Sequence, residues 1–282
     1  MKDLADKVAV ITGGAGGLGL ALARRFAREG MKLVLADVDN AALERAAAGL
    51  KASGASVMTQ RTDVSKGTDI EALAQTTTAA FGAVHLVINN AGIGTVGVTW
   101  ESSEADWQWT LGVNLWGVIH GVRVFTPIML KQDTEGHIVN VASVAGLISP
   151  PGMGVYNVSK HAVVALTETL HHDLTVAQSK LKCSVLCPAY FPSGIADSER
   201  TRPSALVNEG RKSATQQQLE STLRKAVHSG KITADEIADR VCAAVREERF
   251  YILPHERIKP AIEARMRDIL DEAAPRDPLR LR

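Results

Sequence analysis

Two kinds of hydrophobic pattern alternate along the first two-thirds of the chain. Short aliphatic and β-branched runs occupy 8–11, 33–36, 57–61, 86–88, 138–141 and 183–187. Between the first four lie segments, 18–29, 40–51 and 69–81, in which apolar residues recur every three or four positions. Runs that are apolar throughout predict strands buried on both faces, and the helical period between them predicts helices covering a parallel sheet. The expected fold class is therefore α/β, a doubly wound parallel sheet whose ligands sit beyond the carboxyl ends of the strands.

Two longer helical patterns follow. One covers 104–131, with Trp107, Leu111, Leu115, Val118 and Val122 spaced to share a face, and the other covers 155–177. The segment 190–231 breaks the rhythm: it is polar, carries Pro192 and Pro203, and has one short helical pattern near 216–227. An excursion of that length beyond a strand end is read as a substrate lid. A helical tail is expected over 255–282, and with no linker, repeat or low-complexity tract the whole chain reads as one domain.

Composition narrows the function classes. A net charge of +1 over 282 residues gives no electrostatic case for nucleic acid or an anionic membrane surface. Cys183, Cys187 and Cys242 are too few for a disulfide framework and read as small buried thiols. The histidines on 155–177, His161, His171 and His172, have no carboxylate-rich surroundings, and no metal site is expected. No stretch is read as approaching a membrane span, the start has no signal-peptide core, and a cytoplasmic location is expected.

The first strand runs into Thr12-Gly13-Gly14-Ala15-Gly16-Gly17-Leu18-Gly19 and then a helix. A tight glycine turn lets a pyrophosphate approach the backbone, and the helix N-terminus offers free N–H donors. Two spacings fit at once: G-x-G-x-x-G through Gly14, Gly16 and Gly19, and T-G-x-x-x-G-x-G through Thr12, Gly13, Gly17 and Gly19. Asp37 ends the second strand, where a ribose-binding carboxylate belongs. It would accept from the adenosine ribose hydroxyls and repel a 2′-phosphate; Val38 follows it, and Gly16 brings no basic side chain, so NAD is favoured over NADP.

Further on stand Asn89-Asn90-Ala91-Gly92, Ser143 and Tyr156-Asn157-Val158-Ser159-Lys160. With the glycine loop, these four motifs in this order resemble the short-chain dehydrogenase/reductase family over about 8–193, which implies a Rossmann fold. Tyr156 and Lys160 lie i and i+4 on a helix and so share a face. A phenol titrates near about pH 10, and a neighbouring ammonium, with the positive ring of NAD, is expected to lower that value. Tyr156 is then the general acid/base at the substrate oxygen. The resemblance implies that Ser143 orients substrate, that Lys160 also holds the nicotinamide ribose, and that Asn114 continues a proton relay through water. It further implies that Gly13, Gly17, Leu18, Gly19, Asp63, Val64, Asn90, Ala91, Gly92 and Pro188 line the cofactor. Here Pro188 is followed by Ala189, where the family usually has glycine; the methyl is expected to be tolerated if φ stays negative.

Ile93, Val96, Leu147, Met153, Tyr190, Phe191 and Ile195, with Trp100 less central, are the expected substrate-pocket residues. No Arg or Lys is placed among them to clamp an acid. They imply a hydrophobic, aromatic or cyclic, secondary alcohol or ketone. The stretches 192–198 and 251–254 are similar to those of dehydrogenases acting on benzylic alcohols of lignin-derived aryl ethers. An NADP-linked carbonyl reductase and a non-catalytic dinucleotide-binding protein stay open as alternatives. The family resemblance implies a homodimer or homotetramer paired through the helices at 104–131 and 155–177.

Overall fold

The computed structural model describes residues 1–210 and 212–280. Seven parallel strands form its sheet: β1 (Val8–Thr12), β2 (Lys32–Asp37), β3 (Val57–Arg61), β4 (Leu86–Asn89), β5 (Gly136–Val141), β6 (Leu181–Leu186) and β7 (Tyr251–Ile252). Their spatial order is β3-β2-β1-β4-β5-β6-β7. The chain winds outward in one direction from β1 to β3 and then crosses back to β4, so the switch point lies between β1 and β4.

The period-two alternation of each strand divides the core into two layers. Ala9 and Ile11 of β1, with Leu33 and Leu35 of β2, face helices α1 (Gly17–Arg28), α2 (Asn40–Ala52) and α8 (Ala234–Glu247). Val8, Val10, Val34 and Ala36 face the other way, onto α3 (Gly67–Phe81), α5 (Gly117–Gln132) and α6 (Gly154–Val176). Strands buried on both sides need apolar residues at nearly every position, which is why no alternation shows in the sequence. The three cysteines are free and buried.

Three features differ from expectation. The helix over 104–131 is interrupted: α4 (Glu104–Leu111) passes through a π turn at Gly112–Trp116 before α5 begins. Glu104–Gln132 does contain an 18-residue window with the mean hydropathy (1.3) of a membrane-crossing helix, which the sequence reading did not register. Trp109, Thr110, Asn114, Phe125 and Met129 along it are nonetheless buried within the fold. Finally, α8 and β7 were not anticipated. The former is capped by a reciprocal box between Thr233 and Glu236, and it carries the chain across α1 to the far edge of the sheet. Of the expected tail, a short turn at Glu256–Ile258 and α9 (Lys259–Leu270) are helical, and residues 281–282 lie outside the described residues.

Candidate active site

The switch point is stitched by Thr12 and Asn90. The Thr12 hydroxyl accepts from the Asn90 and Ala91 N–H groups at 3.0 and 3.1 Å, and the Asn90 amide donates to the Thr12 carbonyl at 2.9 Å. Gly13 turns there with φ +64°, and a Cβ on it would lie 2.9 Å from the Ala91 Cα. Gly19, in the first turn of α1, faces the Gly13 carbonyl, whereas Gly16 and Gly17 face open space. The N-terminus of α1 holds no acidic residue in its first turn. Asp37 reaches back to this loop, its Oδ2 accepting from the Ala15 N–H at 3.2 Å.

Ser143 stands two residues beyond β5 and caps a short turn, Val144–Gly146. That turn presses against α6 so closely that a Cβ on Gly146 would stand 2.5 Å from the Lys160 carbonyl. This contact brings Ser143 beside Tyr156. The Ser143 hydroxyl donates to the Pro188 carbonyl at 3.3 Å and accepts from the Ala145 N–H at 3.2 Å. Tyr156 and Lys160 are both buried, and the Lys160 ammonium lies 5.7 Å from the Tyr156 ring centre. Its Nζ donates to the Val141 carbonyl at 3.0 Å.

Burial pushes the Tyr156 phenol up to about 12, against an opposing hydrogen bond with Ser143. Burial likewise brings Lys160 down to about 8. In the free chain, desolvation therefore outweighs the lowering expected of the ammonium. Asn114 sits in the π turn, fully buried; its Oδ1 accepts from the Ile93 N–H at 2.8 Å and its amide donates to the Ile93 carbonyl at 3.0 Å. A helix that widens to place one side chain is a common device at functional sites. The loop beyond Gly92 is held in this way against the π turn, whose Asn114 amide also donates to the Ser159 hydroxyl of α6 at 3.3 Å.

Most of these groups border one cavity of about 730 Å³, whereas Thr12, Gly19 and Asn114 do not line it. Gly13, Gly17, Leu18, Asp37, Asp63, Val64, Asn90, Ala91 and Gly92 line one part of it, and Ser143, Tyr156, Lys160 and Pro188 the other. Glycines that leave open space before a helix N-terminus, continuous with a carboxylate at the end of β2, fit a dinucleotide. Ala189 is absent from the positive-φ residues, so its methyl is accommodated as expected.

Ile93, Met153, Tyr190, Phe191 and Ile195 line the cavity. Val96 and Leu147 do not: Val96 packs behind Tyr156 and Met153, and Leu147 joins a core cluster with Val163 and Val185. Trp100 is 84% exposed. Sequence reasoning missed Trp109, Ile148, Leu223 and Val227, which complete the apolar wall. It also missed cations, since Arg61, Arg200 and Arg257 border the same space. The segment 190–231 crosses the mouth through a 3₁₀ stretch, Gly194–Thr201, and α7 (Ala214–His228), with Leu223 and Val227 turned inward; Arg211 lies outside the described residues.

Comparison with known proteins adds an independent line. Residues 7–204 match the family model described as short chain dehydrogenase. The chain is 54% identical to a short chain dehydrogenase/reductase from Burkholderia phymatum whose crystal structure was determined in complex with NAD; all of both chains is covered, with a TM-score of 0.98. It is 36% identical over 278 residues to a CLA biosynthesis dehydrogenase/reductase of Lactiplantibacillus plantarum, covering 98% of this chain and 97% of that protein. A C alpha-dehydrogenase of Sphingobium sp. (strain NBRC 103272 / SYK-6) is 32% identical over 276 residues, 98% of this chain and 89% of the relative.

Proposed function

The chain belongs to the short-chain dehydrogenase/reductase family, and we propose that within it the protein is an NAD-dependent oxidoreductase interconverting a hydrophobic, aromatic or cyclic, secondary alcohol and its ketone. The observation that carries this reading is the convergence of Ser143, Tyr156 and Lys160 on the cavity that also holds the glycine loop and Asp37. The NAD-bound relative supports the choice of cofactor.

When bound, NAD supplies the hydride acceptor or, reduced, the donor. The α1 N-terminus and the open faces of Gly16 and Gly17 cradle the pyrophosphate. Asp37 accepts from the ribose hydroxyls and disfavours a 2′-phosphate. Tyr156 takes the proton from the alcohol oxygen in oxidation and returns it to the carbonyl oxygen in reduction. The Ser143 hydroxyl orients that same oxygen. Lys160, anchored on Val141, brings a positive charge that favours the phenolate. Asn114 fixes the backbone at Ile93 and, following the family resemblance, extends the path for protons beyond Lys160. The apolar walls from Met153, Trp109, Ile195 and Leu223 suit a hydrophobic ring system. Exposed apolar residues on α6 and in the π turn before α5, Val158 at 48% and Trp116 at 51%, support pairing of two copies through these helices.

The test is turnover of a panel of secondary alcohols and ketones by the wild type and by Tyr156→Phe, with NAD binding measured in parallel. The variant keeps the ring and its packing, so NAD binding is retained while turnover falls at least ~100-fold. Near-normal turnover without the hydroxyl overturns the reading.

A further inference from the structure

We propose that His255 is a positioning residue for Ser143: it holds the Pro188–Ala189 peptide from the side opposite the serine and thereby fixes the aim of the serine hydroxyl. The proposal rests on the reading of Ser143 given above.

The argument starts from a single peptide plane. Among the described residues no peptide bond is cis, so the Pro188 carbonyl and the Ala189 N–H point in opposite directions. On the carbonyl side, the Pro188 oxygen accepts from the Ser143 hydroxyl at 3.3 Å and from the Val144 N–H at 2.9 Å. On the other side, the Ala189 N–H donates to Nδ1 of His255 at 3.1 Å. A backbone N–H can only donate, so Nδ1 is the unprotonated nitrogen and the ring proton sits on Nε2. Rotation of this peptide about its flanking bonds would carry the acceptor away from Ser143, and His255 is the side chain that resists it.

His255 is delivered to this spot by the edge of the sheet. β7 pairs with β6 through Val185↔Tyr251 and Leu186↔Ile252, and the Cys187 N–H donates to the Ile252 carbonyl at 2.9 Å. Leu253 and Pro254 then carry the chain past the end of β6 to His255. The ring does not line the cavity, so its effect must pass through the peptide. Burial and the positive charge of Arg240 favour the neutral ring that the geometry needs, against a backbone interaction at Tyr190. Hydrogen bonds in series also polarise one another, and a good acceptor on the N–H strengthens the carbonyl as an acceptor for Ser143.

The test is a double-mutant cycle with two conservative replacements. Asparagine carries its Oδ1 at about the place of Nδ1, whereas the glutamine amide reaches toward the place of Nε2. His255→Ala and His255→Gln should each lower kcat about 3- to 10-fold, the effect of one lost hydrogen bond. His255→Asn should restore most of that loss, with NAD affinity little changed. In a Ser143→Ala background the His255→Ala loss should disappear, because the group it positions is gone. Equal loss in both backgrounds, or rescue by Gln and not by Asn, overturns this proposal alone. A Ser143→Ala variant with undiminished turnover overturns the reading of Ser143, and this proposal with it. If His255→Ala fails to fold, the Asn and Gln variants are compared in both backgrounds by the same criteria.

Discussion

Arg202 ties the segment 190–231 to α4, and its removal gives a quantitative test of whether that segment serves as a lid. Its guanidinium pairs with Asp106 of α4 at 2.5 Å, with only 5% of the arginine side chain and 16% of the aspartate side chain exposed. The same group donates to the Leu206 carbonyl at 2.6 Å and lies 4.7 Å from the Trp109 ring centre. Its second carboxylate partner, Glu199, is 56% exposed and adds little. Breaking a buried pair by removing one partner costs about 3–5 kcal/mol. Asp106 is only part-buried, however, and it keeps the Ser103 N–H and the Asn208 amide. That lowers the pair's share to about 2 kcal/mol, and the stacked ring adds about 1 kcal/mol. Arg202→Ala should therefore weaken docking of the segment by about 3 kcal/mol, close to 100-fold in the docking equilibrium. Hydrogen exchange across 194–228 reads this directly: protection should drop there and remain unchanged in β1 and β4. The KM for the alcohol should rise, while NAD binding changes little. Arg202→Lys, which keeps the charge but not the fork or the stacking, should fall between. Burial acts to raise the Asp106 carboxyl, but hydrogen bonds from Arg202, the Ser103 N–H and Asn208 outweigh it and hold it below its ordinary value. The pair's contribution is thus complete above the ordinary carboxylate range and is lost only as pH falls through the lowered value. Unchanged exchange in Arg202→Ala would refute the assignment of this arginine as the tie.

Two further outcomes bear on the cofactor and on the proton. NAD should be used far more efficiently than NADP, and Asp37→Ala should narrow the gap by about 10- to 100-fold, the scale of a lost hydrogen bond to a charged group, since Arg61 and Arg200 remain in the wall to receive a 2′-phosphate; comparable catalytic efficiency with both cofactors in the unmutated protein would count against Asp37 as the selector. Because burial raises the Tyr156 phenol to about 12 and lowers Lys160 to about 8, alcohol oxidation, which needs the phenolate, should climb with pH, whereas ketone reduction, which needs the phenol, should stay level. Lys160→Ala should move the oxidation limb to higher pH and weaken NAD binding; an unmoved pH profile would remove the lysine from the proton chemistry.

What could be read in the sequence depended on how local its cause was. The first six strands, the glycine loop and the place of Asp37 were legible because each is set by residues adjacent in the chain. Tyr156 and Lys160 were legible because the helical period alone puts them on one face. The π turn was not, since the apolar spacing of Leu111, Leu115, Val118 and Val122 does not register a widened turn, and of these four only Val118 is fully buried. Val96 and Leu147 were misplaced because they lie outside the regular elements, where no periodicity fixes the direction of a side chain. Arg202 meets Asp106 across 96 positions, and His255 meets Ala189 across 66, so neither contact left a local mark.

The late elements show why this matters for the chemistry. α8 did carry a readable start, with Thr233 and Glu236 spaced as a capping box, but β7 is two residues long and offers no period to detect. It is held on the sheet by the edge of β6, whose Val185 and Cys187 N–H groups it satisfies, and by the core packing of Ile252. Satisfying those donors draws 251–252 onto the sheet, and that docking in turn sets His255 against the peptide that holds Ser143. In the proposed mechanism the motif residues supply the reacting groups, and a strand distant in sequence sets the peptide that orients the serine. A substitution at His255, which does not touch the cavity, is therefore expected to alter turnover through Ser143 before it alters the fold.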